Sequence, residues 1–523
     1  MAQGETPSRR AERRRVERRR RRGRVLAIVA AGVVVAGAAG VGIVLLTGDD
    51  GGGGPARRAS SPETTTTTTA PSTTTTAPPF VGFVDPASVG QPYGTTVPGV
   101  LTFRGNPTRT YYGQGPIPAA PRAVWQYPGA SMCSLSEDGG EVTNWCGTGW
   151  TGQPAVFERD GRTWVVFGAY DRAVHFVDAA TGQDIIPPFP TGDIIKGSVT
   201  IDPDGYPLVY TGSRDGFYRV IAFDRPQPTE LWRLSGDEVQ PTKWNDDWDG
   251  SALVLNDFLF EGGENSQFHV AKLNRATGPD GLVTVAPQLV FNAPGWDDEL
   301  IAAVGDEVSI ENSVAVIGDT VYFANSGGLV QGWDISGLRT GAGPPTRVFR
   351  FWVGEDVDAS VVVDAEGMLY VGAEWEKHRP RAAEVGQILK LNPAAPNPVV
   401  WAIKDQGADT AGVWGTPGLY QDLVIVPTNG GRVLGIDRAT GAVRWEKQLP
   451  GPVWQSPVIV DGIWIQGDCG GVLHAYDVRN TLVDPPELWS VTLGGCIEST
   501  PTVWKGRIYV ATRAGSFFAI GDA

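Results

Sequence analysis

Short runs of apolar residues, each ending at a polar residue and a turn, recur along the chain and form its most regular pattern. Eight such runs end at equivalent polar positions, which lie 40 to 60 residues apart. A repeat of this length indicates an array such as a propeller, because one repeat alone cannot bury its own apolar face. The eight positions are Asp178, Asp224, Asn274, Asp334, Asn392, Asp437, Asp477 and Asp522.

The clearest copy of the repeat spans residues 454–489 and contains four short β segments separated by turn residues. The segments begin at Ser456, Ile463, Val472 and Glu487, and the last of them includes an aromatic residue, Trp489. Four short strands of this kind form one blade of a β-propeller. The pattern therefore predicts an all-β fold in which each repeat is a four-stranded blade.

The final repeat supplies only three strands, over residues 500–520. A fourth strand is available near the start of the repeats, at Ala123-Val-Trp125-Gln-Tyr127. Pairing this segment with the last repeat would close the ring and leave no open sheet edge at the junction. We therefore expect an eight-bladed propeller over residues 123–523, closed by strands from both ends of the chain and preceded by a lead-in segment, residues 80–122.

The repeat resembles that of the quinoprotein-like propellers, a superfamily named after the cofactor pyrroloquinoline quinone (PQQ). The residues that carry the resemblance are Val433-x-x-Ile-Asp437-x-x-Thr-Gly441-x-x-x-Trp445, together with the lead-in motif Phe103-Arg-Gly-Asn-Pro-Thr-Arg109. The resemblance covers about residues 100–523 and implies eight blades. A WD-repeat propeller is the alternative fold, but Trp333-Asp334 is its only such dipeptide in the right place.

Three further segments precede the lead-in segment. Residues 1–24 include eleven Arg, residues 25–46 carry no charge, and residues 47–79 are rich in Gly, Thr and Pro. The uncharged stretch is long enough to span a bilayer as a helix, and the Arg-rich tail should then stay in the cytoplasm. The third segment cannot pack a core and is expected to be a disordered linker. This predicts a single-pass protein of the cell membrane with an extracytoplasmic propeller, with cleavage of the stretch as a signal peptide as the alternative.

Charge differs sharply between the two parts of the chain. Residues 1–79 contain thirteen Arg and six acidic residues, whereas residues 80–523 contain thirty basic and fifty-two acidic residues. A propeller this acidic argues against nucleic acid as a partner and accommodates cations or basic ligands.

All four cysteines follow the predicted membrane span, where disulfides persist. Cys469 lies in the turn between the second and third strands of its blade, and Cys496 lies in the link to the next blade; both loops emerge on one face of a propeller. Cys133 and Cys146 lie in the analogous link after Trp125. We therefore expect the disulfides Cys133–Cys146 and Cys469–Cys496.

Candidate site residues come from aligning the starts of the eight innermost strands. Each strand start has a small polar residue, and the residues two positions earlier should ring one end of the channel, which we call the mouth. They are Thr151, Lys196, Asp249, Glu311, Asp358, Trp414, Trp454 and Glu498.

This ring combines several kinds of ligand-binding chemistry. A hard cation such as calcium takes oxygen ligands, so Asp249, Glu311, Asn312 and Asp358 are candidate metal ligands. The two tryptophans could stack a flat or sugar-like ligand. The alternative is an acidic, solvated face on which Lys196 pairs with a neighbouring residue.

The sequence contains no serine-hydrolase elbow, zinc-protease motif or phosphate-binding loop. The resemblance implies two other functions. Dehydrogenases of this superfamily hold PQQ over a calcium or lanthanide ion, and many have a pair of adjacent cysteines that this chain lacks. Non-enzymatic members present their faces to protein partners. We therefore favour a monomeric binding or scaffold module for protein or glycan partners over a PQQ- and calcium-dependent dehydrogenase.

Overall fold

Eight four-stranded antiparallel sheets form the blades of a propeller in the computed structural model, which describes residues 80–138, 141–149, 152–407 and 411–522. Apolar side chains on both faces of each sheet pack against the adjacent blades. Val220 of blade 2 and Leu259 of blade 3, for example, belong to one buried cluster. The predicted all-β fold with eight blades is confirmed.

The first four blades follow one another along the chain, with their strands in order from the channel outward. Blade 1 contains Ala155–Arg159, Arg162–Ala169, Ala173–Asp178 and Phe189–Pro190; blade 2 contains Thr200–Ile201, Leu208–Ser213, Phe217–Ala222 and Thr229–Ser235; blade 3 contains Leu253–Leu255, Phe258–Gly262, Gln267–Lys272 and Gln288–Pro294; and blade 4 contains Ala315–Ile317, Thr320–Phe323, Leu329–Asp334 and Thr346–Trp352.

The remaining blades repeat the arrangement, and the last is completed from the other end of the chain. Blade 5 contains Val362–Val363, Leu369–Gly372, Ile388–Leu391 and Val399–Ile403; blade 6 contains Gly418–Tyr420, Leu423–Pro427, Arg432–Asp437 and Val443–Gln448; blade 7 contains Val458–Val460, Ile463–Gly467, Val472–Asp477 and Glu487–Thr492; and blade 8 contains Thr502–Trp504, Arg507–Thr512, Ser516–Gly521 and Arg122–Tyr127. Pairing of Arg122–Tyr127 with Ser516–Gly521 confirms the predicted closure.

Smaller elements lie in the lead-in segment and in the connections between these strands. They are the 3₁₀ helix Pro86–Ser88, the α-helices Asp298–Val304, Ser336–Thr340 and Pro380–Val385, and two hairpins, Ala276–Thr277 with Val283–Thr284 and Cys133–Asp138 with Glu141–Cys146. Both expected disulfides are present, and Cys133–Cys146 joins the two strands of the second hairpin.

In blades 1, 4, 5, 6 and 7 the polar residue that ends the repeat caps the turn before the outer strand. The Asp437 carboxylate accepts hydrogen bonds from the backbone N–H groups of Ala439 and Thr440. In blade 8 the Asp522 carboxylate instead accepts hydrogen bonds from the backbone N–H groups of Ala119 and Ala120 of the lead-in segment. Two distant pieces of chain therefore rebuild the turn that the repeat forms locally elsewhere.

The lead-in segment also fills the channel. Its strand Gly99–Val100 pairs with blade 1, and its strand Gly113–Gln114 pairs in parallel with blade 8. Strand pairing and hydrogen bonds join residues 99–114 to all eight blades, at residues in the inner strand or up to two positions before it: Phe157, Ile201, Ser251, Val316, Val363, Pro417, Pro457 and Val503. The sequence did not predict that this segment would be part of the propeller's interior.

The predicted cytoplasmic tail (1–24), membrane-spanning helix (25–46) and linker (47–79) lie outside the described residues. Within the part of the chain that the structure describes, no helix has the length and apolar character needed to cross a membrane.

Candidate binding site at the channel mouth

The small polar residues at the strand starts hold the mouth together. The backbone N–H of one such residue donates a hydrogen bond to the hydroxyl of the equivalent residue in the next blade, at 2.8 to 3.0 Å. The pairs are Gln153 with Ser198, Ser251 with Ser313, Ser313 with Ser360, Ser360 with Thr416, and Thr416 with Ser456. These bonds fix the registers of neighbouring blades, so the residues two positions earlier occupy one ring. Thr151, the member from blade 1, is outside the described residues.

Lys196 is the centre of an ionic cluster on one side of this ring. Its Nζ atom lies 2.7 Å from Asp249, 2.8 Å from Glu264 and 3.3 Å from Asp247. Arg214 adds a second cation, with its Nε atom 3.1 Å from Asp247. The three carboxylates are almost completely buried, so water screens these interactions poorly.

Burial and mutual repulsion shift the titration of this cluster. Burial alone would lower the pKa of Lys196, but Asp249, Glu264 and Asp247 outweigh it and raise that pKa well above its ordinary value. Burial raises the pKa of the Asp247 carboxyl to about 7, with Glu264 adding to the rise and Lys196 opposing it. The pKa of Asp249 is also raised, first by burial. The ammonium group therefore stays charged while some of its carboxyl neighbours hold protons near neutral pH.

Glu311 and Asn312 are adjacent in sequence but have different surroundings. The hydroxyls of Ser309 and Ser326 contact the Glu311 carboxylate at 2.7 and 3.1 Å. The Asn312 amide instead bonds the backbone N–H and C=O of Ala324, and its nitrogen also donates to the Val357 carbonyl. Asn312 therefore links two neighbouring blades through backbone groups.

A second acidic cluster lies beside blade 5. Carboxylate oxygens of Asp356, Asp358 and Glu374 lie within 4.8 Å of one another and are buried. Lys377 approaches Asp356 at 3.9 Å and also pairs with Glu307.

The four predicted metal ligands are thus not gathered at one point. The structure groups Asp249 and Glu311 with Glu264, and it groups Asp358 with Asp356 and Glu374.

The opposite side of the ring is aromatic. Trp414 and Trp454 are half-buried neighbours, with ring centroids 5.2 Å apart and planes inclined by 54°. Beyond them, Glu498 pairs with the Arg513 guanidinium at 2.9 Å. That guanidinium also lies over the rings of Trp145 and Tyr170, at 5.0 and 4.8 Å from their centroids. Trp145 belongs to the disulfide hairpin, so this contact holds the hairpin at the mouth.

Sequence reasoning missed several residues of the mouth, namely Glu264, Glu374 and Arg513. Each lies two residues after the small residue near the end of the second strand of its blade, at Gly262, Gly372 and Ala511. Loops between second and third strands emerge at the same face as the links between blades. The repeat therefore contained a second aligned position that could have identified these residues.

The lead-in segment closes the channel on the other side of this ring. Arg104 donates to the carbonyls of Pro417 and Pro457, and Arg109 donates to those of Ser251 and Val314. Both arginines are completely buried. Among the described residues, the lead-in segment therefore closes the channel on that side, and the mouth is the side from which a ligand would reach the ring.

Comparison with known proteins supports one family. The family model described as "Outer membrane protein assembly factor BamB" matches residues 216–452 and 386–484. No curated protein matches the sequence.

Among solved structures, a europium-containing methanol dehydrogenase aligns with a TM-score of 0.53 and 13% identity, covering 81% of this chain and 98% of that one. The quinohemoprotein alcohol dehydrogenase of Comamonas testosteroni aligns with a TM-score of 0.54 and 14% identity, covering 82% and 81%. The computationally designed Ika8 protein aligns with a TM-score of 0.50 and 14% identity, covering 71% and 95%. At these identities the likeness shows the propeller fold alone.

Proposed function

The chain belongs to the family of PQQ-type repeat propellers represented by the outer membrane protein assembly factor BamB, and on this premise we propose that it is a binding module whose mouth recognises a basic protein partner. A role in assembling or scaffolding other proteins is the kind of function that the family description suggests. The ring residues of this chain supply the chemistry.

The observation that carries the proposal is the excess of carboxylates at the mouth of a channel that the lead-in segment closes on the other side. Four cations of the described chain, Lys196, Arg214, Lys377 and Arg513, pair with acids of the mouth, whereas these acids number eight: Asp247, Asp249, Glu264, Glu311, Asp356, Asp358, Glu374 and Glu498. Clustered carboxylates in a cleft focus a negative potential and favour a cationic guest that neutralises them. A basic segment of a partner protein is such a guest.

The alternative function is a PQQ- and metal-dependent dehydrogenase. The buried carboxylates of Asp356, Asp358 and Glu374 favour it, because they lie close enough together to share one metal ion. Two features of the site fit the cofactor poorly. The Lys196 ammonium already lies between Asp249 and Glu264, and neither disulfide joins adjacent cysteines. We therefore derive no catalytic step for this chain.

We propose that this binding occurs outside the cytoplasm, and the composition of residues 1–79 supports that location. An uncharged stretch over 25–46 that follows an Arg-rich tail would anchor the protein in the cell membrane and leave the propeller outside the cytoplasm. The linker over 47–79 would hold the mouth away from the bilayer, where it could meet a soluble or envelope protein.

Titration of a dye-labelled hexalysine peptide with the full chain in mild detergent tests the proposal by fluorescence anisotropy. We expect saturable binding that weakens with added salt, because the attraction is between charges. Asp358→Asn should weaken it roughly tenfold, whereas Glu366→Gln, an exposed acid of the opposite face, should not change it. Absence of binding, or equal affinity in both variants, would overturn the proposal.

A further inference from the structure

We infer that Trp414 and Trp454 form a subsite for one arginine side chain of the partner, with Asp358 on one side and Glu498 on the other. The inference rests on the proposed function and goes further, because it assigns a guanidinium group to a particular place in the mouth. The four residues come from successive blades, 5 to 8, and hold equivalent positions in the ring.

The mouth already contains two cations bound in this manner. Arg513 lies over two aromatic rings and pairs with Glu498, and Lys196 is surrounded by three carboxylates. Both occupants belong to the chain itself. They show that aromatic faces and carboxylates at this level of the channel stabilise a buried positive group.

Trp414 and Trp454 offer a pair of aromatic rings, as Trp145 and Tyr170 do for the guanidinium of Arg513. The two indole rings are inclined by 54° with their centroids 5.2 Å apart, so they contact each other and a further group can stack only on their outer faces. Both side chains are half-buried, so part of each ring remains exposed to solvent. A planar guanidinium stacks well on an indole face and pairs with a carboxylate through two parallel N–H groups, which an ammonium cannot do. Asp358 is a suitable carboxylate because it lies at the neighbouring position of the ring.

An unsatisfied hydroxyl provides independent support for a guest at this level. Tyr170 is completely buried, and its hydroxyl has no hydrogen-bond partner among the described residues. Its electrostatic neighbours are Arg513, Glu498, Lys196 and Asp249, so it lies between the Arg513–Glu498 pair and the ionic cluster around Lys196. A buried hydroxyl without a partner costs roughly 1–3 kcal/mol. A backbone carbonyl of the partner segment could accept its hydrogen bond.

The connections between second and third strands are short next to the subsite. In blades 6 and 7 only residues 428–431 and 468–471 connect the second strand to the third. In blade 5 the same connection spans residues 373–387 and includes the helix Pro380–Val385. The disulfide hairpin stands near blades 8 and 1. The connections of blades 6 and 7 therefore obstruct an extended partner segment least, and a segment that crosses these blades would reach Trp414 and Trp454.

Calorimetric titration of hexa-arginine into the full chain in mild detergent tests the inference. The matched ligand is hexa-citrulline, which has the same shape but no charge. We expect hexa-arginine to bind more tightly than hexalysine, and hexa-citrulline to bind at least about tenfold more weakly. Trp454→Leu should weaken binding of hexa-arginine about tenfold, Trp454→Phe should weaken it less, and both variants should keep the wild-type circular dichroism spectrum.

The outcomes separate this inference from the proposed function. Binding that Asp358→Asn weakens but Trp454→Leu leaves unchanged would overturn the arginine subsite and leave the mouth as a general acidic site. Binding that neither substitution changes would overturn both. A neutral chito-oligosaccharide that binds in place of hexa-arginine, and depends on Trp454, would identify the pair as a sugar platform and also overturn the inference.

Discussion

Lys196 is the side chain on which the charge balance of the mouth depends most directly. It neutralises carboxylates that water cannot reach, and its own charge is retained because three of them surround it. The sequence placed Lys196 and Asp249 in one ring, because both occupy the same repeat position. It could not show that Glu264 completes the cluster, since that residue lies in a different loop and becomes a neighbour only when the blades pack.

Replacement of Lys196 by methionine should destabilise the folded protein at neutral pH. The side chain keeps its length but leaves buried carboxylates without their cation, a change that typically costs about 3–5 kcal/mol in the free energy of unfolding. The loss should shrink at acidic pH, where the carboxylates bind protons. Denaturant titration of Lys196→Met at pH 5 and pH 8 measures it. The double variant with Asp249→Asn should recover part of the loss, and no recovery would contradict this account.

The Asp247 carboxyl should make stability depend on pH. Burial raises its pKa to about 7 in the folded protein, above the value of an exposed aspartate. The folded state therefore holds a proton that the unfolded state has already released, and the free energy of unfolding falls as pH rises from about 4 to about 7. Asp247→Asn removes this contribution. The melting temperature of the variant relative to wild type should rise over that interval, and a constant difference would contradict the assignment.

Two parts of the chain close the propeller: the strand Arg122–Tyr127 completes blade 8, and residues 99–114 run through the channel. The closing strand was predictable because the last repeat lacked one strand and Ala123-Val-Trp125-Gln-Tyr127 matched it. The course of residues 99–114 through the channel was not, because this segment has no counterpart in the repeat. Its contacts are mostly with backbone carbonyls and hydroxyls of the inner strands, which no sequence pattern marks.

Replacement of Arg104 tests how much the lead-in segment stabilises the ring. Arg104→Leu leaves the carbonyls of Pro417 and Pro457 without donors, at a cost of roughly 1–3 kcal/mol for each buried group. We expect a lower denaturation midpoint than for Arg122→Leu, an exposed arginine of the closing strand. Equal midpoints would show that the segment contributes little to the closure of the channel.

The pairing of the third and fourth strands of the blades contains β-bulges, and in blade 5 an aromatic residue of the fourth strand also contacts the next blade. In seven blades of the described chain the register shifts within the outer pair of strands. In blade 5 the shift follows Lys390, which is opposite Trp401. The ring of Trp401 then covers Gly441 in the turn of blade 6. Bulges twist an edge strand and discourage pairing with other molecules, while Trp401 packs blade 5 against blade 6.

Gly441→Ala should be more destabilising than the same change at Gly506. Both glycines have positive φ angles, +77° and +83°, so both substitutions carry similar backbone strain. Only at Gly441 would the new methyl group meet a ring, 2.7 Å from Trp401, whereas nothing lies within 4 Å of the corresponding position at Gly506. Thermal denaturation of the two variants compares them. Equal melting temperatures would remove the packing role assigned to the tryptophan.

At the scale of the whole molecule, the described residues form an acidic propeller whose channel is open at the mouth. The period of the repeat determined the blade count, and the family resemblance agreed with it. The ring residues followed from the same alignment. Which of them would form clusters did not follow, because inter-blade distances depend on packing. Asn312 illustrates this limit: its sequence position suggested a metal ligand, but its amide bonds backbone groups of two blades.

The measurement that tests the central claim most directly is a calorimetric comparison of two ligands on the full chain. PQQ is titrated in the presence of calcium, and hexa-arginine is titrated under the same conditions. The account predicts saturable heat with hexa-arginine that Asp358→Asn diminishes, and no saturable heat with PQQ. Saturable binding of PQQ that requires calcium and is lost in Asp358→Asn would contradict it and identify the mouth as a cofactor site.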